Sequence, residues 1–132
     1  MQKIEKIVTV DGVPAPQAPY STYTRVGDLI FISGQVAVDP LTKVIPEGFA
    51  AQLEMIFANM KTILASVGSS LENVLKTTVF LKDLSNYPEY NQIYREYFKN
   101  GFPARTTVKA DLVQDDFLIE IEAVAWAPEK PL

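Results

Sequence analysis

The apolar residues of this chain follow two rhythms, one of period two and one of steps of three and four, and the changes between them mark out its elements. Lys3–Val8 predicts a first strand. Val10–Tyr20 then carries Pro14, Pro16 and Pro19, which deny donors to a ladder and predict an extended surface loop. Thr22–Val26 and Leu29–Ser33 predict a hairpin around Gly27-Asp28, with Gly34 closing its second strand and a further loop over Asp39–Gly48. Phe49–Val67 predicts a helix, because Leu53, Ile56, Phe57, Met60, Ile63, Leu64 and Val67 recur at helical steps; Gly68 ends it. Ser69 and Glu72 have the spacing of a capping box, and the strand Val74–Lys82 follows. Asn86–Phe98 predicts a second helix with Pro88 in its first turn and Tyr90, Ile93, Tyr94, Tyr97 and Phe98 on one face. Ala104–Leu112 and Phe117–Trp126 predict two closing strands around the polar turn Gln114-Asp115-Asp116.

The order βββαβαββ, without an internal repeat, describes one α+β domain over residues 1–132: a mixed sheet with two helices on one face. Two helices leave the other face bare. On the last strand Phe117, Ile119, Ile121 and Ala123 point one way, and Leu118, Glu120, Glu122, Val124 and Trp126 the other. The second set is too apolar to be left wholly in water, and a subunit interface would explain it.

Composition narrows the chemistry. Twelve basic and sixteen acidic residues give a net charge of −4, so no overall field draws the molecule to nucleic acid or to an anionic membrane. No apolar run has the length of a membrane span, and Met1–Lys6 lacks the apolar core of a signal peptide, so a cytoplasmic location is expected. The absence of Cys and His excludes disulfides, thiol nucleophiles, histidine triads and zinc sites built on those ligands. None of the six glycines falls in a phosphate-binding signature, so neither a metal nor a nucleotide cofactor is expected.

What remains is carboxylates, one well-placed Arg, hydroxyls and backbone amides. Arg105, after Pro103-Ala104 at a strand start, could clamp a small carboxylate with its forked donors, or be a surface residue in a weak ion pair. Glu120 and Glu122 share a strand face roughly 6–7 Å apart, so burial would make each oppose the other's ionisation. The pair could serve as acid and base, or be a solvated face, or pair across strands with Arg105, Lys109 or Lys76. Tyr90, Tyr94, Tyr97 and Phe98 read as packing. In Ser33-Gly34-Gln35, Gly34 would allow a ligand close to the backbone, although such turns are common.

Taken in order, Ala18-Pro19-Tyr20-Ser21, Ser33-Gly34-Gln35, Thr78-Val79-Phe80-Leu81 with Asp83, Asn91 and Tyr94, Pro103-Ala104-Arg105 and Glu120-Ile121-Glu122 resemble the RidA (YjgF) family of reactive-imine deaminases. The resemblance runs from near the first strand to Trp126. It implies a chorismate-mutase-like fold and a homotrimer whose sheets form a central barrel, with sites in clefts between neighbours. The positions matching the family's site are Tyr20, Ser33, Asn91, Arg105, Thr107 and Glu120, drawn from two adjacent subunits. Three positions depart from the family's habit: Ala18 for Gly, Thr22 for Gln, and Thr107 for Cys within the site.

The resemblance implies a 2-iminobutanoate/2-iminopropanoate deaminase that needs no cofactor and takes small imino and keto acids as partners. Arg105 would hold the carboxylate and Glu120 would activate water. The alternative is a non-catalytic trimer that senses keto acids through the same cleft. A nuclease role, sometimes attached to the family, is opposed by an acidic chain lacking a basic aromatic stripe.

Overall fold

The computed structural model describes residues 3–129; Met1 and Gln2, where the segment read for a leader begins, and positions 130–132 of the expected domain lie outside it. The chain runs β1 (Ile4–Ile7), β2 (Tyr23–Val26), β3 (Leu29–Gln35), α1 (Phe49–Ser66), β4 (Val74–Leu81), α2 (Tyr87–Tyr97), β5 (Ala104–Lys109) and β6 (Ile119–Trp126). This is the expected order.

The strands form one six-stranded sheet in the order β1-β2-β3-β6-β4-β5. β4 and β5 are parallel, and every other neighbouring pair is antiparallel. β3 and β4 therefore run the same way, with β6, last in sequence, inserted between them.

Period-two patterning decides which face is covered. Ile30 and Ile32, Thr77, Val79 and Leu81, and Ile119, Ile121, Ala123 and Ala125 are buried on one side. Onto them α1 lays Leu53, Ile56, Phe57, Met60, Ile63 and Leu64, all fully buried. α2 joins the same layer through Phe57, which stacks on Tyr97 at 4.3 Å and meets Tyr94 edge-on at 6.1 Å. The end of α1 is a Schellman turn: Gly68 at φ 71 donates to the Ala65 carbonyl and Ser69 to the Leu64 carbonyl.

Among the described residues no helix covers the opposite face. Leu29, Phe31 and Val108 are exposed there, beside the half-buried Phe80, Val124 and Trp126.

Local details depart from the sequence pattern. The proline-rich loop is not wholly on the surface, because Val10 and Val13 enter the core. β3 continues through Gly34 to Gln35 by way of a bulge. The capping box does not form: Ser69 Oγ instead donates to the Trp126 carbonyl at 2.7 Å, and Glu72 accepts from Asn100. β5 stops at Lys109 and β6 starts at Ile119, so the intervening segment is longer than the polar turn alone.

That segment is held by a residue the apolar pattern hides. Gln52, 2% exposed on α1, donates to the Pro46 and Asp116 carbonyls at 3.1 and 2.8 Å and accepts from the Leu118 amide at 2.9 Å. One side chain thus fixes the approach to β6.

Candidate active site

Arg105 and Thr107 lie on β5 beside Thr77 and Val79 of β4, whose side chains are buried beneath the helices. Alternation therefore turns Arg105 and Thr107 toward the helix layer. α2 answers with Tyr87, Tyr90 and Tyr94, spaced three and four apart on one stripe. The guanidinium carbon of Arg105 stands 5.9, 4.7 and 5.0 Å from the centres of their rings. Its Nη2 also donates to the Tyr87 hydroxyl at 3.3 Å.

The other two phenols are tied to the sheet. Tyr94 shares a hydrogen bond of 2.7 Å with Thr77, and Tyr90 one of 3.0 Å with Thr107. Burial pushes the Tyr90 phenol up to about 12, against the opposing effects of Thr107 and Arg105, and raises Tyr94 as well. Both stay neutral at physiological pH and act through hydrogen bonds and ring faces. Beside them opens a cleft of about 340 Å³ lined by Asn91, Tyr94, Arg95, Phe102, Pro103 and Arg105.

Glu120 stands elsewhere. On β6 it pairs with Phe80 and Glu122 pairs with Thr78, on the face without helices. The basic partners considered for the pair are not their cross-strand neighbours, and Lys76 Nζ donates to Thr106 Oγ1 at 2.8 Å and to the Thr77 carbonyl at 3.3 Å. Burial, and secondarily the charge of Glu122, raises the Glu120 carboxyl above the ordinary carboxylate range.

The bulge in β3 shapes this second locus. Ile32 pairs with Ala123 and Gln35 with Ile121, so Ser33 and Gly34 together oppose a single residue of β6. At Gly34 a β-carbon would fall 2.0 Å from Oε2 of Glu120, so the carboxylate occupies the space of the missing side chain. Ser33 is anchored by its amide and its Oγ, both donating to the Thr22 carbonyl at 3.0 and 3.1 Å. Tyr20 stays 49% exposed at the end of the proline-rich loop.

Apart from Tyr20, the positions singled out in the sequence thus fall into two groups. Asn91, Arg105 and Thr107 gather at the α2–β5 cleft; Ser33, Gly34 and Glu120 gather on the opposite face of the sheet. Within one chain they do not meet. The Thr107 hydroxyl shares one hydrogen bond with Tyr90 and, because a hydroxyl both donates and accepts, keeps capacity for a second. Tyr90 and Tyr94 are buried, as their helical spacing predicts, and in addition face Arg105; Tyr87, not singled out in the sequence, is signalled by the same spacing of three and four on α2. Among the described residues no grouping of Asp and Glu could hold a metal ion, and no helix is long and apolar enough to cross a membrane.

Residues 11–127 match the sequence profile of the family described as Endoribonuclease L-PSP. The chain is 39% identical over 123 residues to a RutC family protein of Pyrococcus abyssi, covering 92% of this chain and 97% of that relative. It is 38% identical over 122 residues to the 3-aminoacrylate deaminase RutC of Acinetobacter baylyi, with 92% and 97% covered. The crystal structure of RidA from an Antarctic Psychrobacter superimposes with a TM-score of 0.87 at 34% identity, covering 92% of this chain and 99% of that one.

Proposed function

The chain belongs to the Endoribonuclease L-PSP family, which holds the RidA and RutC proteins, and on that premise we propose that it hydrolyses reactive 2-imino acids to 2-keto acids and ammonia. Its substrates are the imine tautomers of enamines such as 2-aminoacrylate and 2-aminocrotonate. One observation carries the reading: a guanidinium held in a cleft on one face, and a carboxyl of raised pKa on the other face, among apolar residues no helix covers. A homotrimer packed through that apolar face brings the Glu120 of one subunit to the α2–β5 cleft of the next. β5, at the sheet edge, is suited to such a junction.

In this site the forked donors of Arg105 take the substrate carboxylate and fix the imine carbon. Glu120 accepts a proton from a water as the water oxygen bonds to that carbon, and the C=N electron pair passes to nitrogen. Glu120 returns that proton to the nitrogen to give a carbinolamine, whose hydroxyl then yields its own proton to the nitrogen as the C=O forms and the C–N bond breaks, releasing the keto acid and ammonia. A carboxyl with its pKa raised toward neutrality is a better-matched base and acid than an exposed one. Thr107 contributes its backbone amide and the remaining hydrogen-bonding capacity of its hydroxyl, which Tyr90 holds in place.

The family description names a nuclease, but a net charge of −4 gives little attraction to a phosphate backbone. The test couples the protein to a threonine dehydratase and traps residual imine with semicarbazide. A lowered trapped fraction, lost in Arg105→Ala, supports the proposal. Keto-acid binding with no change in trapping would replace it with the sensor reading.

A further inference from the structure

We propose that Tyr87, Tyr90 and Tyr94 are positioning residues that fix which edge of the Arg105 guanidinium is offered to a substrate carboxylate, an inference that rests on the deaminase reading above. An arginine near the start of an edge strand would otherwise spread over many rotamers. Here three rings from one helix stand around it at 4.7 to 5.9 Å. Two of the rings are themselves immobilised by their hydroxyls, Tyr94 on Thr77 of β4 and Tyr90 on Thr107 of β5. The third, Tyr87, accepts directly from Nη2.

Packing alone does not ask for this arrangement. Tyr90 and Tyr94 are buried, but phenylalanine would fill the same space without reaching strand hydroxyls. Tyr87 is 40% exposed and adds little to the core, so its contact with Arg105 is not a by-product of burial. Guanidinium has five N–H donors in one plane. With its surroundings on the helix side taken by rings and one donor engaged by Tyr87, the rest of the fork is left to the cleft beside Asn91 and Phe102. Rotamer freedom is thereby lost before a ligand arrives, which favours binding.

The first measurement is made on the free protein: ¹⁵N NMR of guanidinium rotation in wild type and Tyr87→Ala, with the exposed Arg95 as internal reference. Rotation of Arg105 should be slowed relative to Arg95 in wild type and should speed up in Tyr87→Ala. The second measurement is 2-oxobutyrate affinity together with imine-hydrolysis KM and kcat. Tyr87→Ala should weaken binding and raise KM by about tenfold, with kcat little changed, and Tyr87→Phe should recover part of the loss through its ring. Arg105 rotating as freely as Arg95 in wild type overturns the proposal, as does an unchanged KM in an active Tyr87→Ala. If Arg105 is restrained and released as described while the wild type leaves imine untouched, the deaminase reading fails and the positioning stands.

Discussion

The Glu120 carboxylate lies over the Cα of Gly34, in the volume that any larger residue would claim, since a β-carbon there would stand 2.0 Å from Oε2 and 2.9 Å from Cδ. The atoms in the way are the far end of a flexible side chain. Gly34→Ala is therefore expected to fold, with unfolding free energy within about 1 kcal/mol of wild type, while displacing the carboxylate. Imine hydrolysis should fall by about tenfold or more, given how strongly rates depend on position. A variant with full activity would detach Glu120 from the reaction in its present position.

Because Arg105 and Glu120 occupy opposite faces of the sheet, two inactive variants should complement each other. Arg105→Ala and Glu120→Gln, unfolded and refolded together, should regain about a quarter of wild-type sites, those drawing the intact residue from each variant. Size measurement of the mixture should show one trimeric species. Complementation absent from a confirmed mixed trimer would put both residues to work within a single chain, or neither.

The pH dependence follows from the direction of the Glu120 shift. Its carboxyl is raised in the folded protein, chiefly by burial and then by Glu122, so the folded state binds the proton more tightly than the unfolded one. This contribution favours folding at low pH and is lost as pH rises from the ordinary carboxylate range through the raised value. Glu120→Gln should accordingly flatten the decline of stability across that window. In the wild type the acid limb of kcat/KM should lie above the ordinary carboxylate range, and Glu122→Gln should move it to lower pH. A limb that ignores Glu122→Gln would show that the two carboxylates do not interact in the working enzyme.

Thr107 stands where relatives are expected to carry Cys, and its hydroxyl is paired with Tyr90 at 3.0 Å. Thr107→Val should cost about 1–2 kcal/mol of stability by leaving the buried phenol without its partner, and adding Tyr90→Phe should return part of that loss. Turnover of Thr107→Cys should remain within about threefold of wild type, since no step uses a thiol. An inactive wild type rescued by Cys would remove the proposed mechanism.

Gln52 offers a test of the scaffold. Gln52→Leu removes the partners of two carbonyls and one amide around the segment that leads into β6, and should destabilise the fold by about 3 kcal/mol in denaturant titration at fixed protein concentration. A negligible change would mean that water replaces these bonds freely.

Element order and the two faces of the last strand were legible in the sequence, because period-two burial and helical spacing are local. Whether Arg105 shares a face with Glu120 was not. That depends on the register across β5, β4 and β6, which no single strand contains. Ser69 and Glu72 have the spacing of a cap, yet a tertiary partner, the Trp126 carbonyl, takes the serine. The tyrosines of α2 explain themselves as core by spacing, and only the placement of β5 beneath them reveals Arg105 among their rings. Tyr20 and Asn91 were marked only by resemblance to a family, where local chemistry offered no reason to choose them.

The insertion of β6 between β3 and β4 also sets a schedule for the growing polypeptide. Until Ile119–Trp126 has been synthesised, β3 and β4 have no common neighbour and the apolar layer under α1 lacks its middle. The strand that joins the two halves of the sheet is the one that bears Glu120. A nascent chain therefore presents Arg105 before Glu120 has been made, and both proposed roles are available only once the last strand has been laid down.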